Sequence, residues 1–313
     1  MDRPELIVTG PYPDADMRAL AHDYELHLLW EAADRLAYLR EVGPAVRGIA
    51  TRGDLGADAA LMDACPKLEI IASFGVGVDG IDLAHARPRG IRVTNTPDVL
   101  TDDVADMGLA LLLATAREIP RGDAYVRAGK WASGQMELTR RLSGKRLGIV
   151  GLGRIGRAVA KRAAGFSMQI AYTDPVQAND VPYLWHPDVL SLASAVDFLI
   201  VCAAGGGGTA QLINAAVLKA LGPDGILVNI ARGSIVDEAA LLDALASGGI
   251  AGAGLDVFAN EPSINPAFLS LQNAVLQPHH ASGTRETRRA MGQLVRDNLA
   301  AHFAGKPLLT PVI

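Results

Sequence analysis

One stretch, Lys145 to Gly156 (KRLGIVGLGRIG), constrains the fold of this chain more than any other. Leu147, Ile149 and Val150 form a short apolar run of the kind that makes a buried parallel strand. Gly151, Gly153 and Gly156 follow in G-x-G-x-x-G spacing, and Arg157 to Ala164 reads as helix. A glycine triplet by itself is weak, since a glycine-rich turn can simply pack a helix onto a sheet. Set between a strand and a helix, it predicts a dinucleotide site. The first glycine permits the tight turn, and the second lets a pyrophosphate approach the backbone. The third lets the helix lie close to the strand, with the phosphates at its positive end.

The following strand indicates which dinucleotide. Gln169–Tyr172 runs into Thr173-Asp174-Pro175. A carboxylate at that strand end can bond the ribose hydroxyls of NAD and would repel the 2′-phosphate of NADP. No Arg or Lys lies between Gln169 and Asp180 to clamp such a phosphate. NAD is therefore the expected cofactor, with NADP the alternative. The local pattern also allows a plain Asp-Pro turn.

At 313 residues the chain is long enough for two domains. Strands are expected at Leu6–Thr9, Gly48–Thr51, Leu68–Phe74 and Ile91–Thr94, with helices at Asp34–Glu41 and Ala57–Ala64. His27–Trp30 fits either strand or loop. Gly75-Val76-Gly77, at a strand end, can present bare N–H groups to an anion, the Thr51–Gly56 loop can flank the same crevice, and either can also be a plain turn. Thr101 is a candidate N-cap, followed by Asp102, Asp103 and Asp106. Gly108–Ala116 (GLALLLATA) is apolar on every side, which predicts a helix buried all round. Pro120–Trp131 has no place in either sheet and reads as an arm gripping a second subunit. Beyond the glycine turn, Asp197–Cys202, Gly225–Ile230, Gly252–Asp256 and Ala274–Leu276 complete about six strands of a doubly wound sheet. Helices are expected at Asn214–Leu221 and Glu238–Ala246, and the four glycines Gly205–Gly208 make an open loop. A last helix, Thr284–Ala304, should return to the first domain. The expected division is residues 1–97 with 285–313, and residues 98–284.

Half the residues are hydrophobic but only 5% aromatic, so the cores must be built from Ala, Leu, Val and Ile. A net charge of −5, without a long basic run, argues against nucleic acid as a partner. The Arg285, Arg288 and Arg289 cluster reads as a solvated helix face. No run of apolar residues approaches a membrane span, and the N-terminus lacks a signal-peptide pattern. Cys65 and Cys202 make no disulfide framework, so a reducing, cytoplasmic setting is expected. No metal site is expected.

Three residues at strand ends can carry chemistry on a carbonyl: Arg232, Glu261 and His279. Histidine moves protons near neutral pH, a carboxylate fixes its tautomer, and arginine offers a fork for a substrate carboxylate. Each has another reading by spacing alone. Arg232-Gly233 and Glu261-Pro262 can be turns, and His279 and His280 can be loop residues bonded to backbone.

Taken together, SFGVGVDGIDL, VTNTPDVLTDDVAD, LSGKRLGIVGLGRIG, LVNIARGSIVDEAAL, AGLDVF, PHHASGT and GKPLLTPV resemble the D-isomer-specific 2-hydroxyacid dehydrogenase family over essentially the whole chain. The nearest resemblance is to its glyoxylate/hydroxypyruvate reductases and hydroxyphenylpyruvate reductases. It implies an NAD-binding Rossmann domain inserted in a smaller, flavodoxin-like, substrate-binding α/β domain, working as a homodimer. It assigns catalysis to Arg232, Glu261 and His279, with His279 preferred over His280 by the Pro-His-x-x-Ser-Gly pattern. The backbone of Val76 and Gly77, with Arg232, would hold the substrate carboxylate. Val104, Gly151, Gly153, Arg154, Ile155, Gly156, Asp174, Ala203, Ile230, Asp256 and Ala281 would line the cofactor. NADP-using relatives tend to carry Ser-Arg at the place of Asp174-Pro175. The Ala203–Gly208 loop is richer in glycine than is usual in the family. The expected activity is reduction of hydroxypyruvate or glyoxylate, then of an aryl pyruvate. An NAD-sensing corepressor on the same fold is the competing class, since fold does not fix function.

Overall fold

The computed structural model describes residues 3–313. It divides into two compact units, Met1–Leu100 with Gly283–Ile313, and Thr101–Ser282.

The smaller unit is built on five parallel strands, β1 (Glu5–Val8), β2 (Glu25–Leu28), β3 (Gly48–Arg52), β4 (Ile70–Phe74) and β5 (Arg92–Thr94). Their order, β2-β1-β3-β4-β5, is the flavodoxin-like one. Ile7, Ile49, Ile71 and Val93 stand in register across four strands and are wholly buried. This row of β-branched side chains is the centre of the core on one face of the sheet. Helices α1 (Asp14–Asp23), α2 (Arg35–Val42), α3 (Ala59–Asp63) and α4 (Leu83–Ala86) connect the strands. Three of the four begin at an aspartate, Asp34, Asp58 or Asp82, whose side chain accepts first-turn N–H groups. The C-terminal helix Arg285–Phe303 packs against β4 and α1.

Three features here depart from expectation. Helix α1 carried no clear apolar stripe and went unread; it buries only Asp16 and Leu20. The strand near His27 runs over Glu25–Leu28, and Leu29–Glu31 is a 3₁₀ turn. Arg288 is not on a solvated face: its guanidinium lies 5.6 Å from the Phe74 ring centre.

The larger unit opens with α5 (Thr101–Ala116) and α6 (Ile119–Arg127). Its sheet contains β6 (Arg146–Val150), β7 (Gln169–Thr173), β8 (Leu184–His186), β9 (Phe198–Val201), β10 (Ile226–Asn229), β11 (Gly252–Leu255) and β12 (Ala274–Leu276). Helices α7 (Arg154–Ala164), α8 (Val189–Ala195), α9 (Ala215–Leu221) and α10 (Glu238–Ala246) make the crossovers. All pairings are parallel, in the order β12-β11-β10-β9-β6-β7-β8. This is the doubly wound arrangement with its reversal between β6 and β9. Leu199, Leu227 and Ala253 are in register and fully buried, a row inside the main apolar cluster.

The sheet has seven strands, not six. The strand missed is β8, three residues long at the sheet edge and too short to show a period. Helix α5 begins at Thr101 itself, so Thr101 is its first residue and not its cap. Nor is α5 buried all round: Asp106 and Ala110 are exposed, while Gly108, Leu111, Leu112 and Thr115 are buried. The arm helix ends at Arg127, and a 3₁₀ turn follows at Lys130–Ser133. No helix among the described residues is long and apolar enough to cross a membrane.

Candidate active site

Arg232, Glu261 and His279 each follow the carboxyl end of a different strand, β10, β11 and β12, and these three strands are neighbours in the sheet. Residues 47 positions apart in sequence are thereby brought to one edge.

After β10 the chain turns sharply around Asn229, which is 1% exposed. Its side chain accepts from Ala231 N at 3.0 Å and donates to Arg232 O at 2.9 Å, which fixes the backbone that presents Arg232. Gly233 then passes so close to the next strand's exit that a Cβ would lie 1.9 Å from the carbonyl carbon of Phe258. Only glycine permits that approach. It sets Arg232 near the Glu261 loop, and the positive charge of Arg232 is felt by the Glu261 carboxyl.

Glu261 Oε1 accepts the Phe258 N–H at 2.8 Å, which orients the carboxylate. Its other oxygen, Oε2, lies 2.6 Å from His279 Nδ1. Burial would push the Glu261 carboxyl upward. Its hydrogen bonds with the His279 ring and Phe258 N–H, and the charges of His279 and Arg232, outweigh this and hold it below its ordinary value. The ionised carboxylate accepts, so Nδ1 carries a proton and Nε2 is left to exchange one.

His279 has a left-handed backbone (φ 51°), which points to a position held by its surroundings. Asp256 does the holding. Its carbonyl accepts His279 N at 2.8 Å, and its two carboxylate oxygens accept His280 N at 2.7 Å and Ala281 N at 3.0 Å. Asp256 is 1% exposed, and burial pushes its carboxyl up against the opposing pull of those two N–H groups. His280 thus contributes its backbone to this clamp. Asn229 was not singled out from sequence; the one signal was a polar residue closing an apolar strand (GILVN).

The glycine turn between β6 and α7 suits a dinucleotide phosphate. A Cβ on Gly156 would lie 2.1 Å from Gly151 O, so only glycine lets α7 seat this tightly. A Cβ on Gly153 would meet nothing within 4 Å, so the turn is open where a pyrophosphate would approach. Arg154 and Ile155 form the first turn of α7. Asp174, just past β7, accepts Leu152 N at 2.7 Å through Oδ2 and so faces the turn. Val104, Ile230 and Ala281 are buried, and Ala203 follows β9. The glycines after Ala203 form a short 3₁₀ turn at Gly207–Thr209, and Thr209 Oγ1 donates to Ala204 O at 2.8 Å.

Val76 and Gly77 belong to the smaller unit. Their loop is pinned at the carboxyl end of β4: Gly75 N donates to Thr96 Oγ1 at 3.0 Å, and Asn95 Nδ2 donates to Val76 O at 2.8 Å. The neighbouring Thr51–Gly56 loop is closed by Thr51 Oγ1 donating to Gly56 O at 2.6 Å.

Comparison with characterised proteins agrees with this geometry. Residues 109–281 match the family model described as D-isomer specific 2-hydroxyacid dehydrogenase, NAD binding domain. The chain is 49% identical to a 2-ketogluconate reductase of Gluconobacter oxydans, over 99% of both chains. It is 48% identical to a hydroxyphenylpyruvate reductase of Plectranthus scutellarioides, over 93% of both. Among solved structures, an NADPH-dependent glyoxylate/hydroxypyruvate reductase of Sinorhizobium meliloti, in complex with NADP and malonate, superposes with a TM-score of 0.94. It is 46% identical, covering 99% of this chain and 97% of that one. An NAD(P)-dependent oxidoreductase of 2-oxo and 2-hydroxy acids is the activity these similarities share, and the chain belongs to the D-isomer-specific 2-hydroxyacid dehydrogenase family.

Proposed function

We propose that this enzyme reduces small hydrophilic 2-oxo acids, hydroxypyruvate and glyoxylate first, with NADH and as a homodimer. The observation that carries the chemistry is the 2.6 Å contact between His279 Nδ1 and Glu261 Oε2, with Arg232 beside it. When bound, the dihydronicotinamide supplies the hydride that goes to C2. The Arg232 fork binds the substrate carboxylate and orients the carbonyl. His279 Nε2 delivers a proton to the carbonyl oxygen, and Glu261 stabilises the imidazolium before transfer. In the reverse direction the same nitrogen takes the hydroxyl proton.

Choice of substrate rests on the similarity to the Sinorhizobium glyoxylate/hydroxypyruvate reductase. Aryl pyruvates are the second reading, favoured by the similarity to the Plectranthus enzyme. The preference for NADH rests on the Asp174 carboxylate at the glycine turn. The homodimer rests on Ile119, Val126, Trp131 and Leu138, which are 54%, 55%, 68% and 99% exposed along one segment. A cytoplasmic location fits the two unpaired cysteines. The test is a panel of glyoxylate, hydroxypyruvate, 2-ketogluconate and hydroxyphenylpyruvate with each cofactor, followed at 340 nm. A higher kcat/KM for hydroxyphenylpyruvate than for hydroxypyruvate would reverse the substrate order.

A further inference from the structure

A cation does stand at the glycine turn, supplied by the helix and not by the strand that follows. Arg157 lies in the first turns of α7, its N–H bonded to Gly153 O at 2.9 Å. Helical side chains lean toward the helix N-terminus, so its guanidinium reaches back toward the turn to which Asp174 is tied. There it meets Asp180. Nη1 and Nη2 donate to the two oxygens of that carboxylate at 2.8 and 2.9 Å, a bidentate pair. Asp180 sits in the loop after β7, whose path is set by Ala178 N donating to the Tyr172 hydroxyl at 2.8 Å. Two carboxylates therefore face one guanidinium, and the group is net negative. The adenosine ribose of a dinucleotide belongs at this strand end, so a 2′-phosphate would arrive beside these three charges.

We propose that Asp180 is a specificity-determining residue: it keeps the Arg157 fork engaged, so that Arg157 does not clamp the 2′-phosphate of NADP. This rests on the reading that the enzyme prefers NADH, and it adds to that reading a second element besides repulsion by Asp174. A bidentate guanidinium–phosphate contact is the natural competitor of a guanidinium–carboxylate one, since both use the same planar fork. The Arg157–Asp180 pair is itself exposed, 41% and 69%, so the effect should be modest and sensitive to salt.

The test measures dissociation constants of NAD+ and NADP+ by titration calorimetry, at low salt and at physiological ionic strength. The proteins are the wild type, Asp180→Asn, Arg157→Gln and the double variant. Asp180→Asn should tighten NADP+ binding about fivefold at low salt, the scale of one exposed ion pair, and leave NAD+ within twofold. The gain should shrink at higher salt and vanish in the double variant. No gain in Asp180→Asn overturns the proposal. So does an equal gain in the double variant, because the effect would then be the removal of a negative charge and not the release of Arg157. A wild type that binds NADP+ more tightly, and loses this in Arg157→Gln, shows Arg157 already on the phosphate and overturns the proposal together with the NADH preference. A wild-type preference for NADP+ that survives Arg157→Gln overturns the NADH reading alone, and the Asp180→Asn comparison still decides the role of Asp180.

Discussion

Replacing Glu261 by Gln tests the centre of the mechanism with little change of shape. Gln can still accept a hydrogen bond from His279 Nδ1, but it removes the negative charge 2.6 Å from the ring. A hydrogen bond to a charged partner contributes about 1.5–3 kcal/mol. The His279 and Glu261 side chains are 39% and 26% exposed, so solvent screening places this pair near the low end, about 1.5 kcal/mol. At about 1.4 kcal/mol per factor of ten, that corresponds to roughly a tenfold effect. Reduction needs the ring protonated when substrate binds, and the variant holds that proton less well. The basic limb of kcat/KM for reduction should therefore move to lower pH, and the acidic limb for oxidation should move the same way. On that basic limb, reduction would fall about tenfold while the dissociation constant for NADH stays within twofold. The Glu261 carboxyl is held below its ordinary value by the bonds and charges that outweigh its burial. Its ion pair is thus complete above the ordinary carboxylate range and lost as pH falls through the depressed value. A pH profile with both limbs unmoved in Glu261→Gln would show that Glu261 does not hold the proton on His279, and the assigned roles would fail.

His279→Ala should lower kcat on the order of a hundredfold or more with NADH binding retained, whereas His280→Ala, which leaves the backbone bond to Asp256, should cost less than tenfold. The reverse order, measured by steady-state kinetics and cofactor titration, would move the proton donor to His280. Asp174→Ser with Pro175→Arg should shift kcat/KM toward NADPH at least tenfold, since it removes a carboxylate and supplies a cation at the ribose end of β7; an unchanged ratio would place the 2′-phosphate elsewhere. Gly233→Ala has nowhere to put its methyl group, and should lower thermal stability by about 2–3 kcal/mol and kcat/KM by more than Arg232→Lys does; a thermal melt within error of wild type would contradict the close approach. Trp131→Ser should weaken a dimer held by the 119–138 segment, so that light scattering at low micromolar concentration shows monomer; an unchanged mass would remove Trp131 from the interface.

Much of the fold was legible because its strands are buried on both faces and read as unbroken apolar runs. FLIV, ILVN and IIASF could hardly be anything else once the glycine turn had established a parallel sheet. What escaped lacked that signal. Strand β8, Leu184–His186, is an edge strand only half buried. Helix α1 has charges throughout and depends on packing against the C-terminal helix. Arg288 read as solvated because spacing on a helix cannot show that Phe74, over two hundred residues away in sequence, lies beneath it. At the site, the residue types at strand ends suggested chemistry, while resemblance to a family selected among them. Asn229 and the arrangement of Asp256 bonds were not readable, because a buried polar group declares its partners only when the chain is folded.

The three strand ends bear on how this site tolerates change. Adjacent parallel strands are about 4.8 Å apart, so β10, β11 and β12 place three exits within about 10 Å. Each exit is then tied to its neighbour by a bond that ignores side-chain identity at the intervening positions: Asp256 N to Asn229 O at 3.0 Å, Gln277 N to Leu255 O at 2.8 Å and His279 N to Asp256 O at 2.8 Å. The ladder of the sheet thus continues past its last regular residues into the site, and Asp256 links the β10 exit to the β12 exit. Arg232 and His279 are consequently held by one polar network and not by two independent loops. Substitutions at Asn229 and Asp256 should therefore be strongly non-additive, as expected for residues that share a network. By contrast, the ribose end of the cofactor cradle, with Asp174, Arg157 and Asp180, rests on β7 and α7 at the far side of β9 and β6. Changes of cofactor preference made there should leave the proton-transfer step untouched.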